Sequence, residues 1–227
     1  NNANLRGTYG DPWTDIASYE DQRRAIIGET NALNLRARSA YLTIAANLVD
    51  YANAMKTSPE RVPPPFRPER IQAARANLVP EIETALLADQ LAYMKTTLAG
   101  KNEAFNKLIG GRTLAQVAED ISENSVIGSK EKFDALMAGK PEDILSSTDP
   151  VLSFAVQAAP RFSELQGKLA EIRDRQGARV QVLGKAMYEV YSTSIPPDAT
   201  FTLRIADGVV KGYEYNGTIA PPVTTFY

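Results

Sequence analysis

Along most of the chain, apolar residues recur at spacings of three and four, the period of a helix lying on a core. In LNLRARSAYLTIAANLVDYANAMK, one row runs through Tyr41, Ile44, Leu48, Tyr51 and Met55, and a second through Leu42, Ala45, Val49 and Ala52. Two rows make a broad apolar stripe, which predicts a central helix rather than a surface one. Leu87, Leu91, Met94 and Leu98 share one face of another helix. Phe162, Leu165, Leu169 and Ile172 begin the seam of the longest predicted helix, from about Pro160 to about Tyr191. That seam falters at Gln176 and Arg179 and resumes at Val180, Leu183, Met187 and Val190. Gly167, Gly177 and Gly184 interrupt the helix at some cost in propensity, which predicts the close approach of another backbone. Glu171 and Arg175 form an i, i+4 pair on its solvent side.

Start and stop signals divide this pattern into several helices. Asp11 is a good N-cap, Pro12 suits the first helical position, and Asp15 favours the positive end of the helix dipole. TSPERVPPPFRP reads as a stiff linker, because consecutive prolines disfavour helix and hold the chain extended. Helices resume near Pro68 and near Pro80, the latter stopping at Gly100. Thr113 and Gln116 have capping-box spacing, and Ser129 caps a helix that stops at Gly139. Asp149-Pro150 opens a further start into VLSFAVQAA.

After Tyr191 the period changes from 3.6 to 2. Phe201, Leu203 and Ile205 face one way, and Thr202 and Arg204 the other. Asp207-Gly208 and Asn216-Gly217 are tight hairpin signals. They predict second and third strands over Val209 to Tyr215 and Thr218 to Thr225, the third weakened by Pro221 and Pro222. The predicted architecture is therefore mainly α. A multi-helix domain over 1–195 is followed by a short antiparallel β-meander over 196–227. Such a meander alone has two open edges and an uncovered face, so the expectation is that its remaining strands belong to a larger protein.

Composition changes this picture mostly by exclusion. The 227 residues are 44% hydrophobic, enough for a substantial core. A net charge of −2, with both signs interspersed, points to neither nucleic acid nor a polybasic membrane surface. No apolar run approaches the roughly 20 residues of a membrane span. There is no Cys and no His, so thiolate chemistry, a Ser-His-Asp triad and a His-based zinc site cannot be assembled from this chain alone.

Each remaining candidate motif has a structural reading that outweighs its chemical one. Ser129 and Lys132 have the Ser-x-x-Lys spacing of penicillin-recognising serine enzymes, but no second motif of that class accompanies them. A helix cap and a surface lysine explain them. Asn216-Gly217-Thr218 matches a glycosylation acceptor and is more simply a type I′ turn. Glu81 with Glu83, and Glu142 with Asp143, lie in first turns, where carboxylates favour the dipole. Arg23-Arg24 and Arg36 with Arg38 are expected in salt bridges rather than in a carboxylate clamp. On motifs alone the chain contains no catalytic residue, no metal ligand set and no identifiable substrate-binding residue.

Pro197-Asp198-Ala199-Thr200-Phe201-Thr202-Leu203-Arg204, then Gly208, Val210-Lys211-Gly212-Tyr213, Pro221-Pro222 and Thr224-Thr225, resemble a known family pattern. The family is that of the bacterial dipeptidyl-peptidases of the type 7 and type 11 kind, peptidase family forty-six of the serine class. Its pattern reads Tyr-Pro-Asp-Ala-(Thr or Asn)-Phe-Thr-Leu-Arg, Gly-x-Val-Lys-Gly-Tyr and Pro-(Phe)-Thr-Thr; here Pro196 replaces the Tyr and Val223 stands where Phe is common. SSTDPVLSFA (Ser146 to Ala155) and GDPWTDIA are similar to further family segments. The resemblance implies a chymotrypsin-like double β-barrel carrying a large helical domain, with the triad outside the present chain and no cofactor or metal. It implies a parent enzyme that is periplasmic or secreted and removes dipeptides from peptide N-termini, with this chain as a helical lid. The implied partners are the peptide substrate and the flanking barrel segments, with a homodimer also compatible, and neither nucleic acid nor membrane. Two alternatives from other classes stand beside it: a stand-alone helical module that binds peptides or proteins, and a non-catalytic homologue.

Overall fold

The computed structural model describes residues 3–194 and 208–223. Ten α-helices and one β-hairpin are formed among them. The helices are α1 (Ala3–Tyr9), α2 (Pro12–Ala32), α3 (Ala40–Thr57), α4 (Pro68–Ala76) and α5 (Pro80–Leu98), then α6 (Glu103–Ile109), α7 (Leu114–Asn124), α8 (Lys130–Ala138), α9 (Pro141–Leu145) and α10 (Pro150–Tyr191). The hairpin pairs β1 (Tyr213–Tyr215) with β2 (Thr218–Ala220). Two compact units are formed, Asn1–Gly184 and Lys185–Tyr227.

Within the first unit, α3 is the central helix its two apolar rows predict. Tyr41, Leu42, Ile44, Ala45, Leu48, Val49 and Ala52 are all buried. It packs against α4, α5 and α9, and α5 in turn packs against α2 and α7. The face of α5 formed by Leu87, Leu91, Met94 and Leu98 is buried throughout, and Gly100, at φ +72°, lies just beyond its end. Phe105 of α6 meets Phe154 of α10 edge to face, 6.1 Å between centroids.

Several predicted boundaries move. Residues 34–39 do not join α3; Ser39 caps it, accepting from the Tyr41 N–H. The proline linker is not fully extended but contains two short 3-10 turns, Pro59–Arg61 and Pro64–Phe66. The short helices α6 and α9 are too brief for periodicity to reveal. The largest correction is to α10, which begins at Pro150 and runs through Pro160 without a break. An interior proline loses one backbone hydrogen bond and crowds the preceding turn, a cost of about 3 kcal/mol. Burial of Ala155, Ala158 and Leu165 on both sides of it, and a two-point ion pair from Arg161 to Glu29 of α2, offset that cost.

The expected close approach at Gly167, Gly177 and Gly184 is not found, since a Cβ at any of them would meet nothing within 4 Å. Close approach occurs instead at Gly128, where a Cβ would lie 2.1 Å from the Ser122 carbonyl oxygen. That turn is also held by Arg75, which donates to the carbonyls of Ile127 and Gly128. At Gly139 the backbone is not left-handed, with φ −82°.

In the hairpin, Tyr213 pairs with Ala220, Glu214 with Ile219 and Tyr215 with Thr218. Asn216 at φ +48° and Gly217 at φ +76° supply the two positive values of a type I′ turn, as expected. The strands are shorter than predicted: residues 209–212 and 221–223 are not paired. A two-stranded ribbon with Tyr213, Tyr215 and Ile219 exposed has little apolar burial to extend it. The strand expected over 201–205 and the Asp207-Gly208 turn fall on or beside residues outside the described range.

Gly128 and Gly177 give opposite expectations. Gly128→Ala should destabilise by about 1–3 kcal/mol through overpacking. Gly177→Ala, in an open helical position, should stabilise by about 0.5–1 kcal/mol. Thermal melts of the two variants check this, and equal shifts of the same sign would contradict the packing at Gly128.

Candidate functional site

Ser129 and Lys132 are close in sequence but arranged for structure. The Ser129 hydroxyl accepts from the Lys132 backbone N–H at 3.4 Å, as an N-cap does. The Lys132 ammonium is committed elsewhere, donating to the Asn124 carbonyl. A lysine in that position is not placed to take a proton from the serine.

One member of each acidic pair serves a helix end. Glu83, in the first turn of α5, accepts from the Ala40 N–H at 2.8 Å and so satisfies an orphan donor at the start of α3. Asp143 accepts from the Lys140 N–H at 2.9 Å. No group of three or more Asp or Glu side chains suited to a metal ion occurs among the described residues. Arg23 and Arg24 both engage Glu20, whose carboxyl the Arg23 hydrogen bond holds down at about 2.

Arg36 and Arg38 lie in the loop of residues 33–39 that joins α2 to α3, and each pairs as expected. Arg38 pairs with Asp89 and stacks over Tyr93, 5.8 Å from the ring centroid. Arg36 pairs with Asp50, donates from Nε to Asn47 at 2.9 Å, and stacks over Phe66 at 5.5 Å. The loop itself is held from below by Gln90, which is 1% exposed. Its carbonyl accepts from the Ser39 N–H at 2.8 Å, and its amide group donates to the carbonyls of Asn34 at 3.1 Å and Leu35 at 3.4 Å.

Beside this loop, between α3 and the first half of α10, lies a pocket of about 260 Å³. Its lining includes short apolar residues, Ala46 and Val49 from α3 and Ala155, Ala158 and Ala159 from α10. Arg36, Asp50, Ser163 and Gln166 stand among its lining as the polar members. Apolar and polar residues line it together, as they do a second concavity of about 260 Å³ that includes Leu108, Phe154, Arg112 and Gln157.

Sequence reasoning misses Gln90, the Glu29–Arg161 pair and the role of Asp149. Asp149 caps α10 at Val151 and Leu152 and also accepts from the Val126 N–H at 2.7 Å. The Asp-Pro start is visible in the sequence, but its second, distant donor is not. A glutamine between Asp89 and Leu91 carries no signal that separates a buried amide from an exposed one.

The family model described as Peptidase S46 matches residues 1–227. No curated protein matches the chain.

Removing the Gln90 amide leaves a buried N–H and two carbonyls without that partner. Gln90→Ala should therefore destabilise by about 1–3 kcal/mol, read by chemical denaturation. Acid should act through Glu29. The hydrogen bonds from Arg161 hold its carboxyl below the usual carboxylate range. A depressed folded value contributes stability above the unfolded value, about 4.3 for glutamate, which is lost as pH falls through the folded value. The melting temperature of Arg161→Met should thus lie below that of the parent chain at pH 7, with the gap closing toward pH 3. A gap independent of pH would contradict the pairing.

Proposed function

The chain belongs to the Peptidase S46 family, and on that premise we propose that it is the helical lid of a serine dipeptidyl-peptidase that releases dipeptides from peptide N-termini. The observation that carries this reading is the family match over the full 227 residues. In the proposed enzyme the catalytic Ser, His and Asp come from barrel segments outside the chain. With no histidine in the chain, no residue of its own can serve as the usual base that takes the serine proton. Residues 1–195 form the helical domain in this reading, and 196–227 lead into the second barrel.

A lid acts by exclusion. Closing the cleft two residues beyond the scissile bond admits a free peptide terminus and rejects an internal segment. It also expels water, which strengthens the electrostatics of the acyl-transfer step. Two features support docking onto further protein. Tyr213, Tyr215 and Ile219 are exposed on the hairpin, whose strands have open edges. Met187, Tyr188, Val190 and Tyr191 at the end of α10 are 45–63% exposed. The proposed enzyme works in the periplasm or outside the cell, in keeping with the family's peptidase chemistry. No helix among the described residues is long and apolar enough to cross a membrane.

The test compares the chain alone with the chain joined to its flanking barrel segments. The chain alone should hydrolyse no fluorogenic dipeptidyl substrate and take no label from a fluorophosphonate probe. The joined protein should release dipeptides one pair at a time from a peptide with a free N-terminus and leave an N-acetylated peptide intact. Labelling of the isolated chain at Ser129, abolished by Lys132→Ala, would overturn the assignment. So would cleavage of the blocked peptide by the joined protein.

A further inference from the structure

Asn216-Gly217 is the one place in the sequence where glycine follows asparagine. That dipeptide carries a chemistry of its own. The backbone nitrogen of the glycine can attack the asparagine Cγ, because glycine has no side chain to obstruct the approach. The new Cγ–N bond closes a five-membered succinimide ring. The carboxamide nitrogen leaves as ammonia, taking the proton that the glycine nitrogen gives up. Water then opens the ring at either carbonyl. One opening gives aspartate; the other gives isoaspartate, in which the main chain runs through Cβ and Cγ.

Both reacting groups are free. Asn216 and Gly217 are exposed, and a Cβ at Gly217 would meet nothing within 4 Å. Neither the Asn216 carboxamide nor the Gly217 N–H makes a hydrogen bond to a described residue; the Thr218 hydroxyl donates instead to the Tyr215 carbonyl at 3.0 Å. Asn124-Ser125 is the contrast, an asparagine also followed by a small residue. There the carboxamide donates to Asp120 at 3.0 Å, and the Ser125 N–H donates to the Ile121 carbonyl at 3.4 Å at the end of α7. What restrains Asn216 is the turn. With φ +48° at Asn216 and +76° at Gly217, the type I′ turn directs the glycine nitrogen away from the side chain, so ring closure waits for the turn to open. Three residue pairs hold it shut, and Tyr213, Tyr215 and Ile219 among them are 59–73% exposed. A ribbon with so little apolar burial opens readily.

We propose that Asn216 is a site of spontaneous succinimide formation, and that opening of the β1–β2 ribbon sets its rate. Isoaspartate lengthens the main chain by a methylene inside the turn, so Tyr215 and Thr218 lose their register and the ribbon does not close again. The modification to isoaspartate is therefore a one-way loss of the hairpin.

The test is peptide mass spectrometry on the 227-residue chain after incubation at pH 6 and at pH 8.5. The peptide carrying Asn216 should show amide-to-acid conversion, with aspartate and isoaspartate forms separating on chromatography. It should convert about tenfold or more faster than the peptide carrying Asn124, whose two hydrogen bonds must first be broken. Conversion should be faster at pH 8.5, where more of the glycine nitrogen has lost its proton. Ile219→Gly weakens the ribbon without touching the reacting pair, and should speed conversion about two- to fivefold. Ile219 lies outside the buried core, so this variant should keep its helical unit, and an unchanged rate at Asn124 checks that. An intact Asn216, equal rates at Asn216 and Asn124, or a rate no higher at pH 8.5 would each overturn the modification site. An unchanged rate at Asn216 in Ile219→Gly would overturn control by the ribbon.

Discussion

The buried amide of Gln90 is the constraint on which the arrangement of the first unit depends. It lies on α5 and reaches three backbone groups of the 33–39 loop, the segment that turns the chain from α2 into the central helix α3. A buried loop backbone without partners would be costly, so the amide allows the turn to sit against the core. Glu83, two helical turns earlier on α5, satisfies the next N–H, at Ala40. One helix thus supplies both the loop's anchor and the cap of its neighbour. No buried side-chain nitrogen or oxygen among the described residues lacks a partner, so the polar interior is closed around this junction.

A second constraint acts at α10, whose 42 residues would be divided at Pro160 by local rules. Asp149 ties its start to the turn after α7, and the Arg161 fork ties the first turn beyond the proline to α2. Arg161 also reaches Glu164, which Lys168 engages in turn, so the exposed face after the kink-prone position carries a short chain of ion pairs. Each surface pair contributes little alone. Together with the apolar burial on the opposite face they make continuation of the helix the lower-energy course.

Most charged residues of interest are spent on architecture, which is why the chain shows caps and ion pairs where motif matching sees catalytic spacings. Membership of the Peptidase S46 family is compatible with this, since in the lid role proposed above the chain would need no nucleophile of its own. The pocket beside Arg36 and Asp50 departs from the pattern. There Arg36, Asp50, Ser163 and Gln166 line one concavity together with apolar residues of α3 and α10.

The sequence by itself determined the helices whose signals are local. The double apolar row of α3, the buried face of α5, the Asp11, Thr113 and Ser129 caps and the Asn216-Gly217 turn follow from side-chain spacing and backbone preference within a few residues. The Ser129 cap in particular is local, since the hydroxyl's partner, the Lys132 backbone N–H, is fixed by helix geometry. Only the tertiary structure decided that α10 would pass through Pro160, that Gly128 rather than the α10 glycines would be crowded, and that Gln90 would be the buried anchor of a loop 51 residues away. The candidate pocket was equally illegible, since its lining draws on α3, a loop and α10 at once. These outcomes turn on which distant surfaces meet, and neither periodicity nor spacing carries that information, because each is set by neighbours along the chain.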